Sequence, residues 1–254
     1  MGSLIIALVV LGCSFGGSLL GMYLRQKLPE LHLDSDSRDV VKLVMGLVAT
    51  MAALVLGLLV ASANASHERQ TEELRELSAD IILLDRTLAL YGPDARTLRD
   101  GVRDVARQTH DAVWSPDGVR PENLNSATVQ SSARAILGQV AALQPKTDMQ
   151  RMLQAHAFDQ LDSVSKARLQ MFESRGGQIA WPFLAVLIFW ISILFLGFGL
   201  LAPFNATLAV TQFLGALSVA GALFMILELN EPYGGLLRIS DAPLSAAIAQ
   251  LDRP

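Results

Sequence analysis

The sequence predicts an all-α membrane protein with four transmembrane helices and an extramembrane helical bundle between spans two and three. Three observations predict it. Of the 254 residues, 52% are hydrophobic and 17% charged, where a soluble domain carries about 25% charged residues. The deficit is concentrated, because residues 4–24, 43–66 and 177–227 contain no Asp, Glu, Lys, Arg or His. A helix needs roughly 20 apolar residues to cross a hydrocarbon core about 30 Å thick. The first two stretches therefore fit one span each, and the third fits two. Between them, residues 65–178 have the opposite character, with apolar side chains at helical spacing and charges on the other face.

Span one, about 4–24, is closed by Arg25 and Lys27, whose long side chains reach the interface. In the polar connection "LPELHLDSDSRD", Asp36 and Asp39 stand at capping-box spacing, so a helix starts there and runs into span two, about 41–63. Leu74, Leu77, Ile81, Leu84, Leu88 and Tyr91 then mark an amphipathic helix that extends span two. "YGP" stops it, and a second helix over 93–114 runs through Leu98, Val102, Val105, Thr109 and Val113. "SPDGVRPENLN" has the composition of a loop. Helices over 126–143 and 146–174 follow, the last running towards span three. Trp181 suits an interface and Pro182 a first helical turn, so "WPF" opens span three. In "APFN", Pro203 breaks the run and Asn205 caps span four, about 206–227. The organisation expected is spans one and two in 1–64, the helical domain in 65–178, spans three and four in 179–229, and a C-terminal tail in 230–254.

Four spans put both termini and the middle domain on one face. That face carries Arg69, Arg75, Lys166, Arg168, Arg175 and Arg238 near the membrane, against Arg25, Lys27, Arg38 and Lys42 on the other. The positive-inside rule then expects a multi-pass protein of the cell membrane with termini and middle domain in the cytoplasm.

Function classes narrow next. A net charge of −4 with no basic block does not suit nucleic acid. The single cysteine, Cys13, lies in span one and cannot form an internal disulfide. His32, His67, His110 and His156 belong to no metal-ligand motif, and no nucleophile elbow, phosphate loop or dinucleotide fingerprint occurs. The expectation is a non-enzyme without metal or cofactor. The spans hold no charge at mid-depth, which disfavours a carboxylate relay of the kind used by pumps. Asp85 and Arg86 stand in a mostly apolar helix, where an ion pair inside the bundle is expected; Arg86 could instead meet an anion.

Small residues are the other signal. Gly12/Gly16 and Gly17/Gly21 repeat at the spacing that lets helix backbones pack closely. Gly46, Thr50, Ala53, Gly57, Ala61 and Asn64 form a stripe along span two. It suits a packing seam, or the wall of an ion pathway in which Thr50, Gly57 and Asn64 leave room and weak polar contacts. After span four comes "LELNEPYGG". Pro232, Gly234 and Gly235 would end the helix with Glu228 and Glu231 solvated at the interface, and Glu228, Asn230 and Glu231 could also form a polar collar for ions.

The blocks "HLDSDSRDVVKLVMGLVATMAALVLGLLVASA", "ILLDRTLALYGPDAR", "WPFLAVLIFWISILFLGFGLLAPFNAT" and "ALSVAGALFMILELNEPYGGLLRISDAPL" resemble the bestrophin-like membrane proteins of bacteria, a four-span family described as a domain of unknown function. The resemblance covers nearly the whole chain. It points on to the bestrophins, which are pentameric, largely helical chloride channels, many gated by calcium. Asn230, Pro232, Tyr233 and Gly234 are similar to the Asn-Pro-Phe-Gly segment that follows the last bestrophin span, with Glu231 between them. The acidic calcium-binding run is missing, since "LLRISDAPL" supplies only Asp241 and Ca²⁺ takes six to eight oxygens. Span two also lacks an aromatic neck. The resemblance implies a homo-oligomeric ion channel or channel-like pore with a cytoplasmic helical vestibule. The alternative is a non-conducting membrane scaffold or stress-response partner protein. The partners implied are the lipid bilayer, further copies of the chain and inorganic ions. A glutamate ring favours cations and a bestrophin favours chloride, so the ion's sign stays open.

Overall fold

The charge-free runs 4–24 and 43–66 each lie within one helix, and 177–227 contributes two, in the computed structural model, which describes residues 2–27, 35–114, 127–173, 181–201, 205–231 and 233–252. The helices are α1 (Gly2–Lys27), α2 (Ser35–Tyr91), α3 (Arg96–Val113), α4 (Ala127–Ala142), α5 (Asp148–Glu173), α6 (Trp181–Leu201), α7 (Ala206–Leu229) and α8 (Ala242–Leu251). Among the described residues there is no strand. Four helices are long and apolar enough to cross a membrane: α1, α2, α6 and α7. Span two and the first amphipathic stretch form one 57-residue helix, α2.

The chain divides into two compact units. One holds Met1–Ser66 with Gln178–Asn230, the other His67–Gly177 with Glu231–Pro254. In the first unit, α1 packs along α6 and α7. Its core includes Val10, Leu184, Leu187, Ala216 and Leu223, with Met45 and Ala52 from α2. The approach of α1 to α6 depends on glycine. A Cβ on Gly21 would overlap the Leu196 carbonyl oxygen, and one on Gly199 the Ser18 carbonyl oxygen. Without side chains at these points the backbones touch directly, which is how helices associate where lipid supplies no hydrophobic drive. Arg25 donates to the Leu201 carbonyl at 2.6 Å, satisfying one of the unpaired acceptors at the end of α6. Asn205 caps α7 as expected, its side chain accepting from the Leu208 N–H at 2.7 Å.

The second unit is a bundle in which Leu74, Leu77, Leu84 and Leu88 of α2 share one core with Leu98 and Val102 of α3 and Val140 of α4. Gly92 turns the chain between α2 and α3 at φ 113°, a conformation that favours glycine. A 3₁₀ turn, Pro93–Ala95, then precedes α3, so the α-helix begins at Arg96 and not at Pro93. Ala106 lies deeper than Val105, which is only partly buried. Where a tail was expected, "APLSAAIAQL" forms α8, with Leu244, Ala247 and Leu251 buried at steps of three and four.

The expected loop over 115–125, the junction of the last middle helix with span three, the break at Pro203 and the helix stop at Pro232 lie outside the described residues, as does the Asp36 side chain. Asp39 pairs with Lys42 at 2.9 Å.

Candidate ion-pathway site

The membrane-spanning part of α2 buries Met45, Ala52 and Ala63. Gly46, Thr50, Ala53, Gly57, Ala61 and Asn64 lie on its exposed side. A Cβ added at Gly46 or Gly57 would meet nothing within 4 Å. Within one chain, then, the stripe has open space at both of its glycines. The Thr50 hydroxyl donates to the Leu47 carbonyl at 2.8 Å, an internal helix bond that leaves an oxygen lone pair outward. The glycines of α1 divide in two. Gly12 and Gly16 face open space, whereas Gly17 and Gly21 lie against Ser192 and Leu196 of α6.

At the end of α7 the two glutamates part company. Glu228 was expected in solvent but is 4% exposed. Its Oε1 accepts from the Ser3 hydroxyl at 2.7 Å. The cause lies in α1, whose buried positions Ser3, Ala7, Val10, Ser14 and Ser18 recur at helical spacing and turn a hydroxyl towards α7. Asn230 is the C-cap of α7, its N–H reaching the Glu228 and Leu227 carbonyls. Glu231 is exposed. Gly234 N–H closes a turn onto the Glu231 carbonyl at 3.2 Å, and Gly235 has φ 72°.

Tyr233, beside that turn, is 4% exposed and belongs to the core of the second unit. Its ring meets Trp114 edge-on at 5.9 Å, and Trp114 Nε1 donates to the Ile239 carbonyl at 3.1 Å. From the sequence, Tyr233 was only the counterpart of the Phe in the Asn-Pro-Phe-Gly segment and had no packing role. An aromatic between Pro232 and Gly234 was the signal that it anchors the segment.

Asp85 finds its partner one helix away. Arg99 donates to both carboxylate oxygens, at 2.8 and 2.9 Å, and this hydrogen bonding holds the guanidinium pKa above its ordinary value. Arg86 is exposed. Burial raises the Asp80 carboxyl above the usual range. Among the described residues no group of three or more His, Cys, Asp or Glu is placed to hold a metal ion.

Four apolar helices and a second helical unit define an all-helical membrane protein. The chain belongs to the Bestrophin-like family, matching the Bestrophin-like domain over residues 12–244. Among curated proteins none matches the sequence. Among solved structures, a crystal structure of a membrane protein carrying one substitution is similar at TM-score 0.69 and 11% identity, over 96% of each chain. A bacterial bestrophin homologue from Klebsiella pneumoniae is similar in two single-substitution forms. One gives TM-score 0.61 at 14% identity and the other 0.62 at 13%, each over 96% of this chain and 97% of the homologue. At these identities the likeness is one of fold.

Proposed function

We propose that the protein assembles from several copies of itself into an ion-conducting pore, with the small stripe of α2 facing the pathway and the middle helices forming a cytoplasmic vestibule. One observation carries this reading. The apolar window of α2 is 11% buried within the chain, against 39% for α6, and its exposed side presents Thr50, Gly57 and Asn64. The same exposed side carries Leu43, Leu47, Leu54 and Leu58, which suit lipid or a neighbouring copy, so the small stripe is the part that suits a pathway. Small residues with a hydroxyl among them suit a helix lining a narrow aqueous path. Family membership and the fold of the bestrophin homologue support the same assignment, and the excess of basic residues near the middle domain supports its cytoplasmic placement.

In this arrangement Glu231 is the exposed carboxylate of the collar after span four, next to Asn230, and Glu228 ties α7 to α1. Gly12 and Gly16, open within the chain, are surfaces where a neighbouring copy approaches closely. Planar-bilayer recording on the purified protein tests the proposal. Single-channel steps are expected, and Gly57→Leu reduces them. In a Cys13→Ser background, Thr50→Cys is blocked by a water-soluble thiol reagent. A silent protein across salts and voltages, or a monomer in detergent, overturns it.

A further inference from the structure

The C-terminal segment is fastened to α3 at two places of different chemistry. At its far end Asp252 takes Arg107 at 2.7 Å and Arg103 at 3.2 Å, and Arg103 also donates to the Leu251 carbonyl at 2.6 Å. Guanidinium groups keep their charge at every physiological pH, so this end is indifferent to protons.

The near end is not. His110 Nε2 lies 3.2 Å from Asp241 Oδ2, and Nδ1 lies 3.1 Å from Asp111 Oδ1. An ionised carboxylate only accepts, and a neutral imidazole has one N–H. Both contacts are hydrogen bonds only when the ring carries two protons. In the neutral ring one nitrogen lone pair must face a carboxylate oxygen. The arrangement is held from behind by Trp114, stacked on the imidazole at 5.5 Å and bonded through Nε1 to the Ile239 carbonyl. Tyr233 and Ile239, on the same segment as Asp241, are buried in the core.

The surrounding charges leave His110 as the responsive group. Asp252 is occupied by Arg103 and Arg107. Asp85 of α2 is held by Arg99, and Asp94 of the 3₁₀ turn by Lys146 at 2.9 Å. Arg134, the one charged group among the described side chains of α4, is exposed.

We propose that His110 and Asp241 form a proton-operated latch, which clamps the start of the C-terminal segment to α3 when His110 is charged and loosens when His110 is neutral and keeps a single N–H for two carboxylates. Burial alone would lower the pKa of His110. The hydrogen bonds and charges of Asp111 and Asp241 outweigh burial and raise it above its ordinary 6.5. The clamp is therefore fully engaged below that ordinary value and is lost as pH rises through the folded-state pKa. This places the transition on the alkaline side of 6.5. The latch goes beyond the pore assignment, and its test does not depend on conduction.

Amide hydrogen exchange on the full chain in nanodiscs reads it directly, with protection factors corrected for intrinsic exchange from about pH 5.5 to about pH 8.5. Amides of residues 239–245 lose protection by roughly two- to fivefold across the transition, the scale of a partly exposed ion pair. Amides near Asp252 change little. In His110→Gln the step vanishes, and in Asp241→Asn it moves to lower pH. A wild-type profile without a step overturns the proposal, and so does a step that persists in His110→Gln. If His110→Gln does not fold, Asp241→Asn decides, because an unmoved midpoint there also overturns it.

Discussion

Removing the carboxylate of Asp85 tests whether the second unit depends on the pair between α2 and α3. Its side chain is 11% exposed and that of Arg99 is 23% exposed, and the two share two short hydrogen bonds. Breaking a fully buried pair from one side costs about 3–5 kcal/mol, chiefly because the other charge is left without a partner. Arg99 keeps some access to water, so about 2–3 kcal/mol is the expected loss for Asp85→Ala. For a chain of this size that corresponds to a fall in Tm of about 5–10 °C, since each kcal/mol shifts Tm by roughly 2–4 °C. Arg99→Met leaves Asp85 buried alone and costs a similar amount. The double variant Asp85→Leu/Arg99→Met leaves no unpaired charge and recovers more than half of the loss. The assay is far-UV circular dichroism of the protein in detergent, melted at one fixed scan rate because unfolding of such proteins is commonly irreversible. If the double variant loses the sum of the two single losses, or each single shifts Tm by less than about 1 °C, the pair is not a coupled element of the core.

Gly21→Leu and Gly199→Leu each force α1 away from α6 and lower the yield and Tm of the folded protein. The overpacking cost is about 1–3 kcal/mol or more, because the obstruction is backbone. Gly12→Leu and Gly16→Leu leave the melting of the protomer unchanged, since nothing stands within 4 Å of either position. Ser3→Ala removes the hydroxyl from Glu228 and costs about 1 kcal/mol, the scale of hydrogen bonds between membrane helices, read as a shift in Tm. Asp80→Asn raises stability slightly at neutral pH, by less than about 1 kcal/mol. The sign follows from burial, which raises the folded-state pKa of Asp80 above 3.8. The native state then binds more protons than the unfolded state, and stability falls as pH rises through that interval. The advantage of Asp80→Asn shrinks as pH falls below it, in paired melts at acid and neutral pH.

Several elements were legible because their causes are local. Asn205 caps α7 because a short amide side chain reaches the Leu208 N–H, and Gly92 turns the chain because it tolerates φ 113°. The apolar face of α2 from Leu74 to Tyr91 follows from helical periodicity alone. Helix α8 was not legible. Ten residues with a single apolar stripe acquire their helical stability from the core they join, and that core is distant in sequence. For the candidate site the sequence offered residue types and no partners. Glu228 carries the same local signals as Glu231, and only the position of Ser3 separates the buried carboxylate from the exposed one.

By itself the sequence determined which stretches leave water and which stay in it. Over a span-length run, a missing charge removes the main penalty for entering hydrocarbon, and that property needs no partner. Tertiary structure decided which side of each helix does what. It set Gly21 against α6 and left Gly12 open, drew Tyr233 into the helical core, and brought Asp241 to His110 across a sequence separation of 131. Periodicity places residues on a common face, but the burial, close approach and charge pairing of that face are properties of whatever packs against it.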